Sequence, residues 1–312
     1  MKAEFSPHDA ILFSFPTRSS DWNCCYEEAA NAFVNLIETT AKYQHVILLC
    51  DEIKRVKSYF HEGLDIEYKE ILCDDTWVRD YGVLTLNNGK KLDFIFNGWG
   101  NKFDATRDNM ASKQLFEDIK SYDFVLEGGS VESNGEGLIL TTSQCLLEEN
   151  RNPELHKDQI ERKIKKYLQA DTILWLDHGF LEGDDTDSHI DTLARVVGKD
   201  TVMYITCDDE SDIHYEELKN MEEQLKSFAE IKNLIPLPWV SPKYYDDERL
   251  PATYANFLIT NKAVIVPTYQ DTNDEKALKI ISEYFSDREV VGVDSSVFIR
   301  QHGSIHCLSM QI

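Results

Sequence analysis

Basic side chains are scarce in this chain. Its 312 residues carry 32 Lys and Arg against 56 Asp and Glu, a formal charge of −24. Non-specific nucleic-acid binding needs basic patches to neutralise phosphates, so the balance argues against that class. The seven cysteines are odd in number and no two have C-x-x-C spacing, which disfavours both a disulfide framework and a zinc knuckle. No apolar run is long enough to span a bilayer. The stretch Met1–Pro16 lacks the long apolar region and small-residue cleavage site of a signal peptide. A cytoplasmic protein with reduced thiols and no membrane partner is the expectation. Dinucleotide-binding and P-loop glycine patterns are absent too.

What remains is an ordinary globular mixture, 42% hydrophobic and 28% charged. The length fits one large domain or two ordinary ones, and no Pro/Gly/Ser-rich linker divides it. The acidity serves solubility in the simplest reading. It also suits a cationic substrate drawn in by the field of the whole protein.

Strand-like runs recur at Ala10–Phe15, His45–Leu49, Lys91–Phe96, Leu138–Thr142, Asp171–Leu176, Thr201–Thr206, Asn256–Thr260, Ala263–Val266 and Glu289–Val293. Helical periodicity marks Tyr26–Tyr43, Asp158–Leu168, Tyr215–Phe228 and Asp274–Phe285. The alternation predicts an α/β or α+β fold. Asn261-Lys262 resembles a hairpin turn, so an all-parallel doubly wound sheet is disfavoured. No clean internal repeat is visible.

Four segments interrupt apolar runs with charge or glycine. Cys73–Gly82 gathers ionisable groups around Trp77, an expensive residue to expose and a good platform for a planar cation. Leu126-Glu127-Gly128-Gly129-Ser130 places a carboxylate before two glycines, which permit close backbone approach. In Gly183–Thr192, His189 and Asp191 stand two apart and would share one face of a strand. The crowded acids there fit a metal site, a catalytic site or a solvated loop equally well. Near the C-terminus, a strand over Ile305–Met310 would set Cys307 on the opposite face from His306 and Leu308. A lone strand Cys is usually a small buried hydrophobe. The preceding Gly303-Ser304 nevertheless makes Cys307 the best nucleophile candidate.

Taken together, a thiol, a histidine and several carboxylates exceed what Cys–His acyl chemistry needs. They suit a substrate that is itself a cation, above all a planar guanidinium held by paired, charge-assisted hydrogen bonds.

These segments resemble the agmatine deiminase branch of the guanidine-modifying (pentein) superfamily, which includes bacterial peptidylarginine deiminases. The resemblance runs from Ala3–His8 through Asp75–Asp80, Phe96–Phe103, Leu126–Ser130, Asn150–Pro153 and Thr186–Asp191 to Val266–Tyr269 and Ile305–Cys307. It implies a five-bladed α/β propeller of ββαβ-type units with pseudo-fivefold symmetry, and a single catalytic domain over residues 1–312. It implies Cys307 as nucleophile, His189 as general acid and base, Glu127 as its partner, Asp80 and Asp191 as guanidinium carboxylates, and Trp77 as a pocket wall. The implied reaction hydrolyses agmatine to N-carbamoylputrescine and ammonia, a step in putrescine biosynthesis, through a covalent S-alkylthiouronium. No metal or organic cofactor is expected, and a homo-oligomer is left open. His302-Gly303-Ser304, Tyr81, Val83 and Ser188 depart from the family's usual residues. The rivals are a deiminase of free or peptidyl arginine, an inactive guanidine or polyamine binder, and a metal-dependent hydrolase built on Asp184–Asp191.

Overall fold

The computed structural model describes all 312 residues. Along the chain one unit recurs: a short strand pairs antiparallel with a middle strand, which pairs parallel with a third reached through a helix. Val131–Ser133, Leu138–Thr142 and Thr172–Leu176, with helix Lys157–Leu168, form one such unit. Leu84–Thr85, Lys91–Ile95 and Ile119–Val125, with helix Asp108–Leu115, form another. Ala194–Val196, Thr201–Ile205 and Asn233–Leu237 enclose helix Tyr215–Ser227. Leu258–Ile259, Ala263–Thr268 and Glu289–Asp294 enclose helix Asp274–Tyr284. In the remaining unit Ile11–Ser14 pairs parallel with Val46–Cys50 across helix Tyr26–Ala41, and Ile66–Glu70 extends that sheet. Its antiparallel inner strand is Met310–Gln311, from the far end of the chain. These are the five blades of the expected propeller.

Burial explains the pattern. The strands Val46–Cys50 and Leu138–Thr142 are buried at every position, so they read as continuous apolar runs without alternation. Helix Tyr26–Ala41 turns Ala29, Ala30, Phe33, Leu36 and Ile37 inward, the spacing of one helical face. Two apolar cores result, one around the first three sheets and one around the last two and part of the third. No helix is long and apolar enough to cross a membrane.

Most elements lie where the sequence puts them, and the Asn261-Lys262 hairpin pairs Leu258 with Ile265 and Ile259 with Val264. Two expectations are corrected. Residues 305–308 form a turn in which the Leu308 N–H donates to Ser304 O, and only Met310–Gln311 is strand. His189 and Asp191 lie at a helical turn, Ile190–Leu193, rather than on a strand. In both places side-chain hydrogen bonds to the backbone replace a ladder: Thr192 Oγ1 donates to His189 O and Ser309 Oγ to Ile305 O.

A short turn precedes every inner strand: Val78–Tyr81, Gly128–Ser130, Ile190–Leu193, Tyr254–Ala255 and residues 305–308. The repeat invisible in the sequence is therefore structural, and the chemistry-bearing residues occupy equivalent places in it.

Closure of the first blade depends on the last residues. Met310 and Ile312 are 2% and 6% exposed, and Ile312 exchanges backbone hydrogen bonds with Ala10 while accepting from Asp9. Buried Met or Ile to Ala costs about 2–5 kcal/mol each. The double variant Met310→Ala/Ile312→Ala should therefore lose at least about 4 kcal/mol in urea unfolding. An unchanged unfolding midpoint would show that this strand does not hold the ring shut.

Candidate active site

The five turns deliver their side chains to one place: Asp80, Glu127, His189 with Asp191, Asn256 and Cys307. All of these are buried. A pocket of about 120 Å³ reaches Asp80 and Cys307, with Trp77 and Trp99 beside them at depth. Half-buried Asp75 and Asp185 and exposed Asp21 line it toward solvent.

His189 lies between two carboxylates. Its Nε2 is 3.4 Å from Glu127 Oε2, and its Nδ1 is 3.6 Å from Asp80 Oδ1 with no hydrogen-bond partner. Burial opposes the imidazolium, but Asp80, Cys145 and Glu127 outweigh it and hold His189 well above its ordinary value. Burial likewise opposes the charge on Glu127. Arg151, whose Nε donates to both Glu127 oxygens at 2.9 and 2.8 Å, prevails with His189 and holds that carboxyl down at about 2.

The two remaining carboxylates are oriented differently. Asp80 Oδ2 accepts from Trp99 Nε1 and Oδ1 from the Gly129 N–H, both at 2.9 Å. Burial raises Asp80 to about 6; the charge of His189 opposes this, and Asp191 and Glu127 add to it. Asp191 Oδ2 accepts from His306 Nδ1 at 2.6 Å, while its Oδ1 is buried with no partner. Buried polar atoms are nearly always paired, so an unpaired carboxylate oxygen and an unpaired imidazole nitrogen in one buried cluster beside Asp80 and Cys307 mark a place for a polar ligand.

Cys307 Sγ lies 3.6 Å from Asp191 Oδ2 and accepts from Asn256 Nδ2 at 3.1 Å. Asn256 Oδ1 also receives the backbone N–H groups of His306 and Cys307, which fixes the turn carrying the thiol. Burial and then the charges of Asp191 and Asp80 push this thiol well above its usual range. The glycines leave room for the cluster. A Cβ on Gly129 would sit 2.6 Å from His189 Nδ1 and 2.8 Å from Asp80 Oδ1. One on Gly303 would sit 2.3 Å from the Trp77 ring.

Other candidates lie elsewhere. Cys73 is buried outside the pocket and pushed up to about 12 by burial and Asp108. Cys145 is buried with its Sγ 3.7 Å from Glu127 Oε2, and it does not line the pocket. The acidic run disperses. Asp184 accepts from Thr186 and Ser188, Asp187 pairs with Arg151 and Lys102, and Asp185 lines the pocket. Two groups bring metal-ligating atoms together, Glu127–Cys145–His189 and Glu4–Glu132–His306. Their carboxylates already pair with Arg151, Arg79 and Arg195, so the donor sets are balanced by guanidinium groups.

Sequence reasoning did not place four arginines. Arg79 and Arg151 are buried in ion pairs, Arg107 faces Asp74 and Arg300 faces Glu28, and no Lys or Arg lines the pocket. It missed Asn256, whose only signal was an amide inside the apolar run Tyr254–Ile259, and the indole donor Trp99.

The model of the Porphyromonas-type peptidyl-arginine deiminase family matches residues 1–312. A C. jejuni agmatine deiminase variant, a Cys replaced by Ser and solved with substrate bound, is 40% identical with a TM-score of 0.95, covering 99% of this chain and 94% of that one. The Enterococcus faecalis agmatine deiminase is 28% identical with a TM-score of 0.92, covering 100% of this chain and 94% of its own. A dimethylarginine dimethylaminohydrolase, 14% identical with a TM-score of 0.57, shares the fold.

The tight fit at Gly129 gives a direct test. Gly129→Ala drives a methyl against His189 and Asp80, so the protein should fold with turnover down by at least about 10²-fold, the cost of misplacing reacting groups by an ångström. Circular dichroism and a turnover assay on one preparation check this; wild-type turnover would show that the cluster is not closely packed around the reaction.

Proposed function

The chain belongs to the Porphyromonas-type peptidyl-arginine deiminase family, and from that premise we propose that it is an agmatine deiminase, hydrolysing agmatine to N-carbamoylputrescine and ammonia. The observation that carries the reading is the lining of the pocket. Asp80 lies at its depth with the unpaired Asp191 Oδ1 buried behind Cys307, three more carboxylates (Asp21, Asp75, Asp185) lie toward solvent, and no Lys or Arg lines it. Such a pocket suits a slender molecule cationic at both ends. Free arginine would bring an α-carboxylate with no Lys or Arg to receive it.

In this reading Asp80 and Asp191 hold the guanidinium, with Trp77 and Trp99 as walls. The substrate's charge settles among carboxylates that otherwise repel a thiolate, so Cys307 ionises as the guanidinium binds and its proton leaves to solvent. Its sulfur attacks the central carbon. His189, held as imidazolium, gives its proton to the departing nitrogen; the C–N bond breaks and ammonia leaves. The neutral imidazole then takes a proton from water as the oxygen adds to the same carbon, and the C–S bond breaks to release the ureido product. Acid–base help of this kind is worth about 10²–10⁴-fold. Glu127 fixes the ring and favours its charged form. The chemistry calls on no metal or cofactor. The reading includes one catalytic domain over residues 1–312 and a cytoplasmic location, with the product passing toward putrescine.

Ammonia release compared across agmatine, free arginine and an arginine peptide at equal concentration tests the substrate. Agmatine should turn over fastest, and faster release from either arginine form would overturn the assignment. The rim adds a pH test. Burial raises Asp75 to about 7, reinforced by the charges of Asp21 and Asp185. Below that pH the carboxyl is protonated and neutral and the substrate ammonium loses a partner, so kcat/KM for agmatine should rise with pH through about 7. An alkylguanidine with a neutral tail should lack this limb. Asp75→Asn should abolish it and cost about tenfold in kcat/KM; an unchanged profile would show that the tail binds elsewhere.

A further inference from the structure

Behind Asp191 lies a buried charged cluster that the mechanism above does not use. Glu4, from the first turn of the chain, accepts from Arg79 Nη1 at 2.6 Å, Arg195 Nη2 at 2.5 Å and Gln311 Nε2 at 3.1 Å. Arg195 also donates to Glu132. Between this cluster and the pocket stands His306. Its Nε2 lies 2.9 Å from both oxygens of Glu4, and its Nδ1 lies 2.6 Å from Asp191 Oδ2. His306 is 1% exposed, Glu4 7% and Asp191 0%.

A neutral imidazole has one N–H and one lone pair, whereas an ionised carboxylate only accepts. One nitrogen of a neutral ring would therefore aim its lone pair at a carboxylate. Glu4 cannot relieve this by taking a proton, because two guanidinium groups already donate to it. Asp191 can keep its charge only if Nδ1 is protonated. Glu4, Glu132 and Asp191 supply three negative charges and Arg79 and Arg195 two positive ones. A third positive charge at His306 makes the buried group neutral, the condition under which such a cluster is tolerated.

We propose that His306 is a positioning residue, held as a full imidazolium between Glu4 and Asp191, through which Glu4 sets the Asp191 carboxylate for the guanidinium. The proposal rests on the reading of Asp191 given above. Two consequences follow from the geometry. With Oδ2 fixed by His306, only Oδ1 is free to receive a substrate N–H, so the carboxylate presents a single acceptor in a single direction. The imidazolium charge also offsets the repulsion that Asp191 exerts on a Cys307 thiolate 3.6 Å away. The contact spans the chain, since Glu4 and His306 are 302 residues apart in sequence. The first turn of the chain thus takes part in arranging a pocket it does not line.

The test has two arms on the full chain. In protein labelled with ¹⁵N-histidine, and with His306→Gln for assignment, both ring nitrogens of His306 should show the protonated shift in the folded enzyme. The pattern of one protonated and one bare nitrogen would overturn the proposal. In the second arm, Glu4→Gln keeps the shape and removes the charge. Partners one step behind a working group are typically worth about 10–100-fold, so kcat/KM should fall by that much, shared between KM and kcat, with partial recovery in Glu4→Asp. His306→Gln should shift the pH dependence of Cys307 alkylation by iodoacetamide upward. Wild-type kcat/KM in Glu4→Gln together with an unshifted alkylation profile in His306→Gln would also overturn it. If the variants do not fold, the resonances of the unsubstituted protein decide the question. Asp191→Asn with wild-type turnover would overturn the role given to Asp191 but would leave the resonance result unaffected.

Discussion

Burying several ionised carboxylates around one point is tolerated only when each finds a cation, because desolvation alone would neutralise them. The structure supplies those cations unequally. Glu127 has Arg151, Glu4 and Glu132 share Arg79 and Arg195, and Asp191 has His306 on one oxygen. Asp80 has hydrogen-bond donors but only the imidazole of His189, 3.6 Å away, as a charge partner. With His189 and His306 as imidazoliums these five carboxylates face five cations, so a positive charge is wanting at the pocket floor only once Cys307 ionises. In the proposed reaction a bound guanidinium provides it, which would tie substrate recognition to activation of the nucleophile in a single electrostatic event.

The fold makes that arrangement through repetition. Each inner strand begins after a tight turn, and five such turns face one another. None of these turns alone could present more than two working side chains. Because the fifth turn belongs to the C-terminal segment while its strand pairs with Ile11–Ser14, the site is complete only when the two ends of the chain meet. Glu4 and Gln311 reinforce the junction from inside. Stability and site geometry thus share residues: Gly129 and Gly303 remain side-chain-free because His189, Asp80 and Trp77 press directly against them, and Gly128 because the Arg79 backbone does.

How much of this was legible in the sequence follows from the range of the interactions. Continuous apolar runs and helical periodicity disclosed the middle strands and four of the five crossing helices. The inner strands Leu84–Thr85, Val131–Ser133 and Ala194–Val196 escaped because they are two or three residues long, and the one at Met310–Gln311 was expected too early in the chain. The outer strands Ile66–Glu70 and Asn233–Leu237 escaped because their half-exposed faces mix polar and apolar residues without clean alternation. Asp80, Glu127, His189, Asp191 and Cys307 stood out as polar breaks in apolar surroundings, and the structure brings them together. His189 and Asp191 were expected on one strand face, whereas a helical turn sends one toward Glu127 and the other toward His306. Asn256 was marked only as an amide inside an apolar run, and Glu4 carried no local mark of its own. Their partners lie 51 and 302 residues away, a pairing that only the closed ring creates.

The central claim is that the Cys307 sulfur joins the guanidinium carbon. Two other buried thiols, Cys145 beside Glu127 and Cys73 beside Asp108, are the physical alternatives. Enzyme quenched in acid during turnover of agmatine, digested and weighed by mass spectrometry, distinguishes them. The account predicts substrate-derived mass on the peptide containing Cys307, and its absence in a folded Cys307→Ser variant that binds agmatine without releasing ammonia. Adduct on the Cys145 or Cys73 peptide, or ammonia release at the wild-type rate from Cys307→Ser, would contradict it.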